Sequence, residues 1–288
     1  MTRFLRHPVV VLVVGFVWLA VLYGVAQTAH FLVASRWPLL AVPVALAGAA
    51  AGLAGYAAFT RWWEARRPAP EIAAAPAARE LAVGLLWGAG LFTLTLLLLL
   101  AVGAYRLALG APDARLLVVL GVAILSGVME ELVFRAVFFR LAQALLGTWL
   151  ALALSAALFG ALHLSNPNSS PVAALSIALE AGVLLGLAYQ ATGRVWLPIG
   201  LHLAWNFTQG GIFGVPISGY DFGAGLFVAA RQAGAPAWLS GGEFGAEASL
   251  MAVVVCLAGA VYFWRAARQA GRLVPAPWQR RMPPVASA

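Results

Sequence analysis

The chain is assembled from uninterrupted apolar runs of about 20 residues, set one after another between short polar or Gly/Pro-containing segments. A run of that length matches a helix rising ~1.5 Å per residue across a hydrocarbon layer ~30 Å thick. In hydrocarbon the backbone must satisfy its own hydrogen bonds, so each run is expected to be helical. The period-two alternation of a lipid-embedded barrel is missing. Eight spans can be drawn, at about 8–33, 38–60, 80–105, 115–140, 148–165, 171–191, 195–213 and 247–264. Only 10% of the residues are charged and 63% are hydrophobic, whereas about a quarter of a soluble domain is charged. The expected fold class is therefore all-α, a polytopic transmembrane helical bundle of about eight spans. It forms a single membrane domain over residues 1–288.

The polar segments carry the orientation. Arg61–Glu80 is a Pro/Ala-rich linker, Asn166–Pro171 a short turn and Gly214–Ala246 a Gly-rich loop, and residues 265–288 form a basic tail. All 18 basic residues are arginine, and the net charge is +8. Because this charge lies between apolar spans, it reads as topology signal and lipid-headgroup contact rather than as a nucleic-acid surface. With the N-terminus inside, the inside segments hold Arg3, Arg6, Arg61, Arg66, Arg67, Arg79, Arg135, Arg140, Arg194, Arg265, Arg268, Arg272, Arg280 and Arg281. The outside then holds Arg36, Arg106, Arg115 and Arg231. That asymmetry, 14 against 4, places both termini in the cytoplasm. The first apolar run continues to about Val33, too long for a secretory signal, and is read as an uncleaved span. The single cysteine, Cys256, excludes an intramolecular disulfide and reads as a small core residue.

Against this apolar background stand Glu130 and Glu131, adjacent within the fourth span in the run GVMEELVFRAVFFR. A carboxylate at the bilayer centre costs roughly 2.5–3.5 kcal/mol on insertion scales, so an intramembrane acid marks a functional site with a partner. Glu131 precedes Arg135 by four residues, the favourable order for a helical ion pair. Neighbouring residues point about 100° apart, which leaves Glu130 free for the bundle interior. Span five contributes His163, and span seven His202 and Asn206, four apart and so on one helix face. Glu130 lies 17 residues before Gly147 and His163 lies 16 after it. In an antiparallel hairpin the two side chains then share one height. A Glu/His pair of this kind can activate a water, with His202 and Asn206 contacting the oxyanion. Two imidazoles and a carboxylate (Glu130, His163 and His202) are equally a zinc set. The residues leave a metal-free site and a zinc site both open.

The pieces EELVFR (Glu130–Arg135), FGALH (Phe159–His163) and HLAWN (His202–Asn206), in this order on separate spans, resemble the motifs of the CPBP family. That family comprises prenylated-protein (CAAX) endopeptidases and bacteriocin-processing or immunity proteins. The resemblance covers residues 114–213 and implies a catalytic core in spans four to seven of an eight-helix intramembrane endopeptidase. It implies Glu130 and His163 as the water-activating pair, His202 and Asn206 as oxyanion or metal contacts, and Glu131 and Arg135 as support. Members often carry Gly after the motif arginine, where this chain has Ala136; that change bears on packing more than on chemistry. The implied substrate is a membrane-anchored protein or peptide, of prenylated CAAX type or a leader peptide. The implied location is a bacterial cytoplasmic membrane, with lipids as the other partners and with zinc or no cofactor. The resemblance also favours a cavity open to the cytoplasm.

Two other functions fit the same residues. A proton- or ion-coupled transporter would use Glu130, Glu131 and Glu180 as a relay, although no internal repeat is evident. A non-catalytic immunity or scaffold protein would not depend on His202 and Asn206. His7 and His30, near span ends, are expected at the interface, and the glycines of Gly48–Gly55 in close helix packing. The drawn spans put His163 near the outer end of span five and His202 in the inner half of span seven. That mismatch of roughly 10 Å requires tilted or broken helices.

Overall fold

The computed structural model describes residues 7–279. The expectations that rest on Arg3, Arg6, Arg280 and Arg281, and the last nine residues of the basic tail, lie outside them. Among the described residues, eight helices form the bundle. They are α1 (Pro8–Ala34), α2 (Ala41–Trp62), α3 (Ala77–Ala101), α4 (Arg115–Leu146), α5 (Thr148–Ser165), α6 (Pro171–Thr192), α7 (Trp196–Phe207) and α8 (Leu250–Gln269). All but α7 belong to the seven segments long and apolar enough to cross a membrane. Each of the eight expected spans has its helix, and one of them, α7, falls short of spanning length. The seventh span has 12 helical residues followed by a five-residue π turn, Thr208–Ile212. It is a short, mostly buried helix held inside the bundle.

Other boundaries differ for local reasons. Helix α3 ends at Ala101 because Gly103, at φ +72°, turns the chain into a left-handed conformation that glycine adopts without a Cβ clash. Helix α8 starts at Leu250 rather than 247 because the Ser249 side chain accepts the Ala252 N–H at 3.1 Å and caps it. It then runs to Gln269, so the basic tail begins as helix through Arg265 and Arg268. Helix α4 continues to Leu146 through a π-helical stretch, Leu132–Phe139. Gly147, at φ +79°, closes the α4–α5 hairpin. The bundle is not wholly helical. Strand β1 (Tyr105–Leu109) pairs antiparallel with β2 (Phe227–Arg231), Tyr105 opposite Arg231, so the Gly-rich loop carries a strand.

The connections fall at two ends. At one, Arg140 of α4 pairs with Glu64 at 2.6 Å and Glu71 at 3.4 Å, and Arg66 pairs with both acids. Arg194 pairs with Glu80, and Val274 and Thr148 bond each other's backbone and hydroxyl groups. This is the arginine-rich end. The other end holds the β1–β2 sheet, and there Asn168 reaches the Gly219 carbonyl and Gly219 N–H reaches the Phe244 carbonyl. Helix α7 is held by direct backbone contact with α3. A Cβ at Gly84 would strike the Leu197 carbonyl oxygen, one at Gly88 the Leu201 oxygen, and one at Gly200 the Leu81 oxygen. Small residues here let two apolar helices touch backbone to backbone. Gly52 of α2 makes room for the Met129 side chain of α4, close packing as expected for the Gly48–Gly55 stretch.

Candidate active site

Glu131 and Arg135 form the innermost layer. Both are fully buried, with Arg135 Nε 3.2 Å from Glu131 Oε2. The pair is one turn long, as the i,i+4 spacing requires. Arg135 also donates to the Ala181 carbonyl at 3.0 Å. That carbonyl lies in a π turn of α6, Ala178–Gly182, where the shifted backbone pattern leaves oxygens without helical partners. The guanidinium lies 4.9 Å over the Phe159 ring. The second use of Glu131 was not foreseen: Glu131 Oε1 accepts from His202 Nδ1 at 2.9 Å. One carboxylate thus bridges an arginine on its own helix to an imidazole on α7.

Holding Nδ1 this way turns the other ring nitrogen of His202 toward Glu130, with Nε2 3.9 Å from Glu130 Oε2. That gap exceeds a direct hydrogen bond and leaves room for an atom shared between them. The other Glu130 oxygen accepts the Tyr23 hydroxyl at 2.8 Å. Asn206 Nδ2 donates to Ser126 Oγ at 2.9 Å. His163 Nδ1 donates to the Phe159 carbonyl at 2.7 Å, within its own helix turn, so Nε2 is its remaining nitrogen. No hydrogen bond joins His163 to Glu130. Glu130, His163, His202 and Asn206 nevertheless line one cavity of about 500 Å³. Both imidazoles flank Phe159, with ring centroids 4.8 and 6.4 Å away, so the expected mismatch in height is closed. It closes because α7 is short and because α5 gives way at His163 to a 3-10 turn.

Polar residues of this cavity that escaped the sequence reading include Tyr23, Gln27 and Ser126. The signal for the first two was present, a hydroxyl and an amide four residues apart in an otherwise apolar first span. Gln27 Oε1 is buried without a partner. Glu180 has a partner the sequence did not suggest, the Cys256 thiol, which donates to Oε2 at 3.4 Å. His30 is fully buried rather than interfacial, and neither ring nitrogen finds a partner among the described residues. Ala136 is buried, and its carbonyl accepts Arg140 Nε at 2.7 Å. Glu247, just before α8, receives the Ser218 N–H at the cavity rim; burial raises its carboxyl to about 7.

Among the described residues, no three His, Cys, Asp or Glu side chains gather as a metal-ligand group.

Fold and site together define a multi-pass helical membrane protein with an acid–imidazole cavity enclosed by its helices. Residues 112–208 match the family model of the type II CAAX prenyl endopeptidase, Rce1-like. That segment, about a third of the chain, is similar to this membrane protease family and contains Glu130, His163, His202 and Asn206. No curated protein and no solved structure matches the chain.

Proposed function

We propose that the chain is an intramembrane endopeptidase that hydrolyses a peptide bond of a membrane-associated substrate, with a water activated by Glu130. The supporting observation is the gap between Glu130 Oε2 and His202 Nε2, flanked by His163 and Asn206 in one cavity. A water held there gives its proton to Glu130 as its oxygen attacks the scissile carbonyl carbon. Asn206 and His202 face the oxygen that gains charge. Glu130 then returns the proton to the departing amine as the C–N bond breaks. Tyr23 and Glu131 are positioning residues, the first for the Glu130 carboxylate and the second for the His202 ring. His163, with Nδ1 committed to the Phe159 carbonyl, offers Nε2 to the same water.

Glu130 acts in this reading as a metal-free general base, and a zinc ion held by Glu130, His163 and His202 is the alternative that the chelator experiment below separates. The arginine asymmetry supports both termini being cytoplasmic, and the resemblance supports a bacterial cytoplasmic membrane. The family's name attaches to it prenylated CAAX substrates. Phe16, Phe31, Phe134 and Phe222 on the cavity wall suit any chain that carries an apolar or lipid anchor.

The test uses the full-length protein in detergent with membrane-anchored peptides, read by mass spectrometry. Cleavage should persist in the presence of a zinc chelator and fall at least tenfold in His202→Ala. Cleavage abolished by the chelator and restored by zinc would overturn the metal-free mechanism, and full activity in His202→Ala would remove that residue from it.

A further inference from the structure

The cavity has a direction. Along α1 its wall runs through Phe16, Ala20, Tyr23, Gln27 and Phe31, toward the Ala34 end of that helix. Along α4 it runs from Phe134 back to Val122, toward the Arg115 end. The connections that line it are Asn166 and the segment from Ile217 to Phe222, and Tyr220 at the mouth is 46% exposed. All of these belong to the end that carries the β1–β2 sheet. The opposite end is closed over by the Glu64–Arg66–Glu71–Arg140 ion pairs and the Arg194–Glu80 pair.

The arginines divide between the same two ends. Arg61, Arg66, Arg67, Arg79, Arg140, Arg194, Arg265, Arg268 and Arg272 lie at the closed end, and Arg36, Arg106, Arg115 and Arg231 at the open one. Arg135 belongs to neither, being buried in mid-bundle. An arginine excess of this size fixes its end in the cytoplasm. The mouth then faces away from the cytoplasm, against the expectation drawn from the resemblance. A cytoplasmic mouth and a cytoplasmic arginine-rich end cannot both hold for this chain.

We propose that the site is loaded from the non-cytoplasmic face, and that its substrate is a peptide segment tethered in the outer leaflet by an apolar or lipid anchor. Helix α1 is the wall between lipid and cavity. Val13, Val17, Val21 and Val25, four residues apart, are more than half exposed on its outer face, while Tyr23 and Gln27 line the cavity. Gln27 stands one turn nearer the mouth than Tyr23. Its buried, unpartnered Oε1 is an acceptor for a backbone N–H of a chain threading from mouth to Glu130. The substrate class rests on the peptidase reading above, whereas the direction of the mouth does not.

The test is thiol labelling with a membrane-impermeant maleimide in spheroplasts expressing the full chain. Cys256→Ala removes the only native thiol, which is buried. Tyr220→Cys then reports the mouth and Arg67→Cys, at an exposed position, the far end. Both must label in detergent, which shows that each thiol is reactive. In intact spheroplasts, Tyr220→Cys should label at least tenfold faster than Arg67→Cys, and permeabilisation should remove the difference. Labelling of Tyr220→Cys only after permeabilisation, or of both sites in intact spheroplasts, overturns the proposal. Since no catalysis is needed, this failure is distinct from absence of cleavage by the purified protein, which would instead sink the peptidase reading.

Discussion

Tyr23 reaches Glu130 from outside the family-matched segment, and its hydroxyl is a single atom that can be removed without disturbing the ring. Tyr23→Phe should lower kcat about tenfold and leave KM within twofold, because the lost hydrogen bond orients the base rather than binding substrate. A hydrogen bond to a charged group is worth roughly 1.5–3 kcal/mol, and only part of that is specific to the transition state. Steady-state kinetics on a membrane-anchored peptide decide it; an unchanged kcat removes Tyr23 from the mechanism. A second residue-scale prediction concerns pH. Burial holds the Glu247 carboxyl at about 7 in the folded protein, above its usual 4.5, so the native state binds the proton more tightly than the unfolded one. Its contribution is fully present below pH 4.5 and is lost as pH rises through 7. The difference corresponds to about 3 kcal/mol. Thermal unfolding in detergent should show wild type less stable at pH 8.5 than at pH 5, and Glu247→Gln should flatten that difference.

What could be read from the residues at this scale was the polar set on α4, α5 and α7, because charges and imidazoles stand out in apolar spans. Tyr23 and Gln27 were overlooked because a lone hydroxyl and a lone amide in a membrane helix carry little weight until a cavity is seen beside them. The bond from His202 to Glu131 could not be read at all. It depends on how α7 is rotated against α4, which Gly127 sets by bringing α4 within 3.1–3.2 Å of Leu203, measured from a Cβ placed on it.

At the scale of elements, the site depends on α7 lying against α3 closely enough to bring His202 and Asn206 to the depth of Glu130. Gly88→Leu should force the helices apart, lowering stability by about 1–3 kcal/mol and activity more than stability alone explains. Gly88→Ala, with one carbon added, should show a smaller loss of the same kind, measured as melting temperature and cleavage rate in parallel. The π-helical stretch in α4 is equally structural: it frees the Ala136 carbonyl for Arg140, whose guanidinium ties α4 to the α2–α3 linker. Arg140→Ala leaves Glu64 and Glu71 without that cation and should cost roughly 3 kcal/mol, seen as a lower melting temperature. Helix existence was legible from apolar run length. The π turns and the β1–β2 pair were not, since a five-residue strand inside a Gly-rich loop has no periodicity to show.

For the whole molecule, eight apolar runs and an arginine count predict a bundle and its polarity, and residues 112–208 match a protease family. The direction of the cavity emerges only when helices are placed side by side. Its wall is shared between the matched segment and α1, so the matched segment alone does not make the site. The central claim is that Glu130, and not its neighbour Glu131, takes the proton from the attacking water. The most direct measurement is single-turnover cleavage of one membrane-anchored peptide by purified full-length protein as wild type and Glu130→Gln. Intact folding of the variant is established by its melting temperature. The account predicts a rate at least 10²-fold lower for Glu130→Gln with the melting temperature held within a few degrees. Cleavage by a folded Glu130→Gln at the wild-type rate would contradict it.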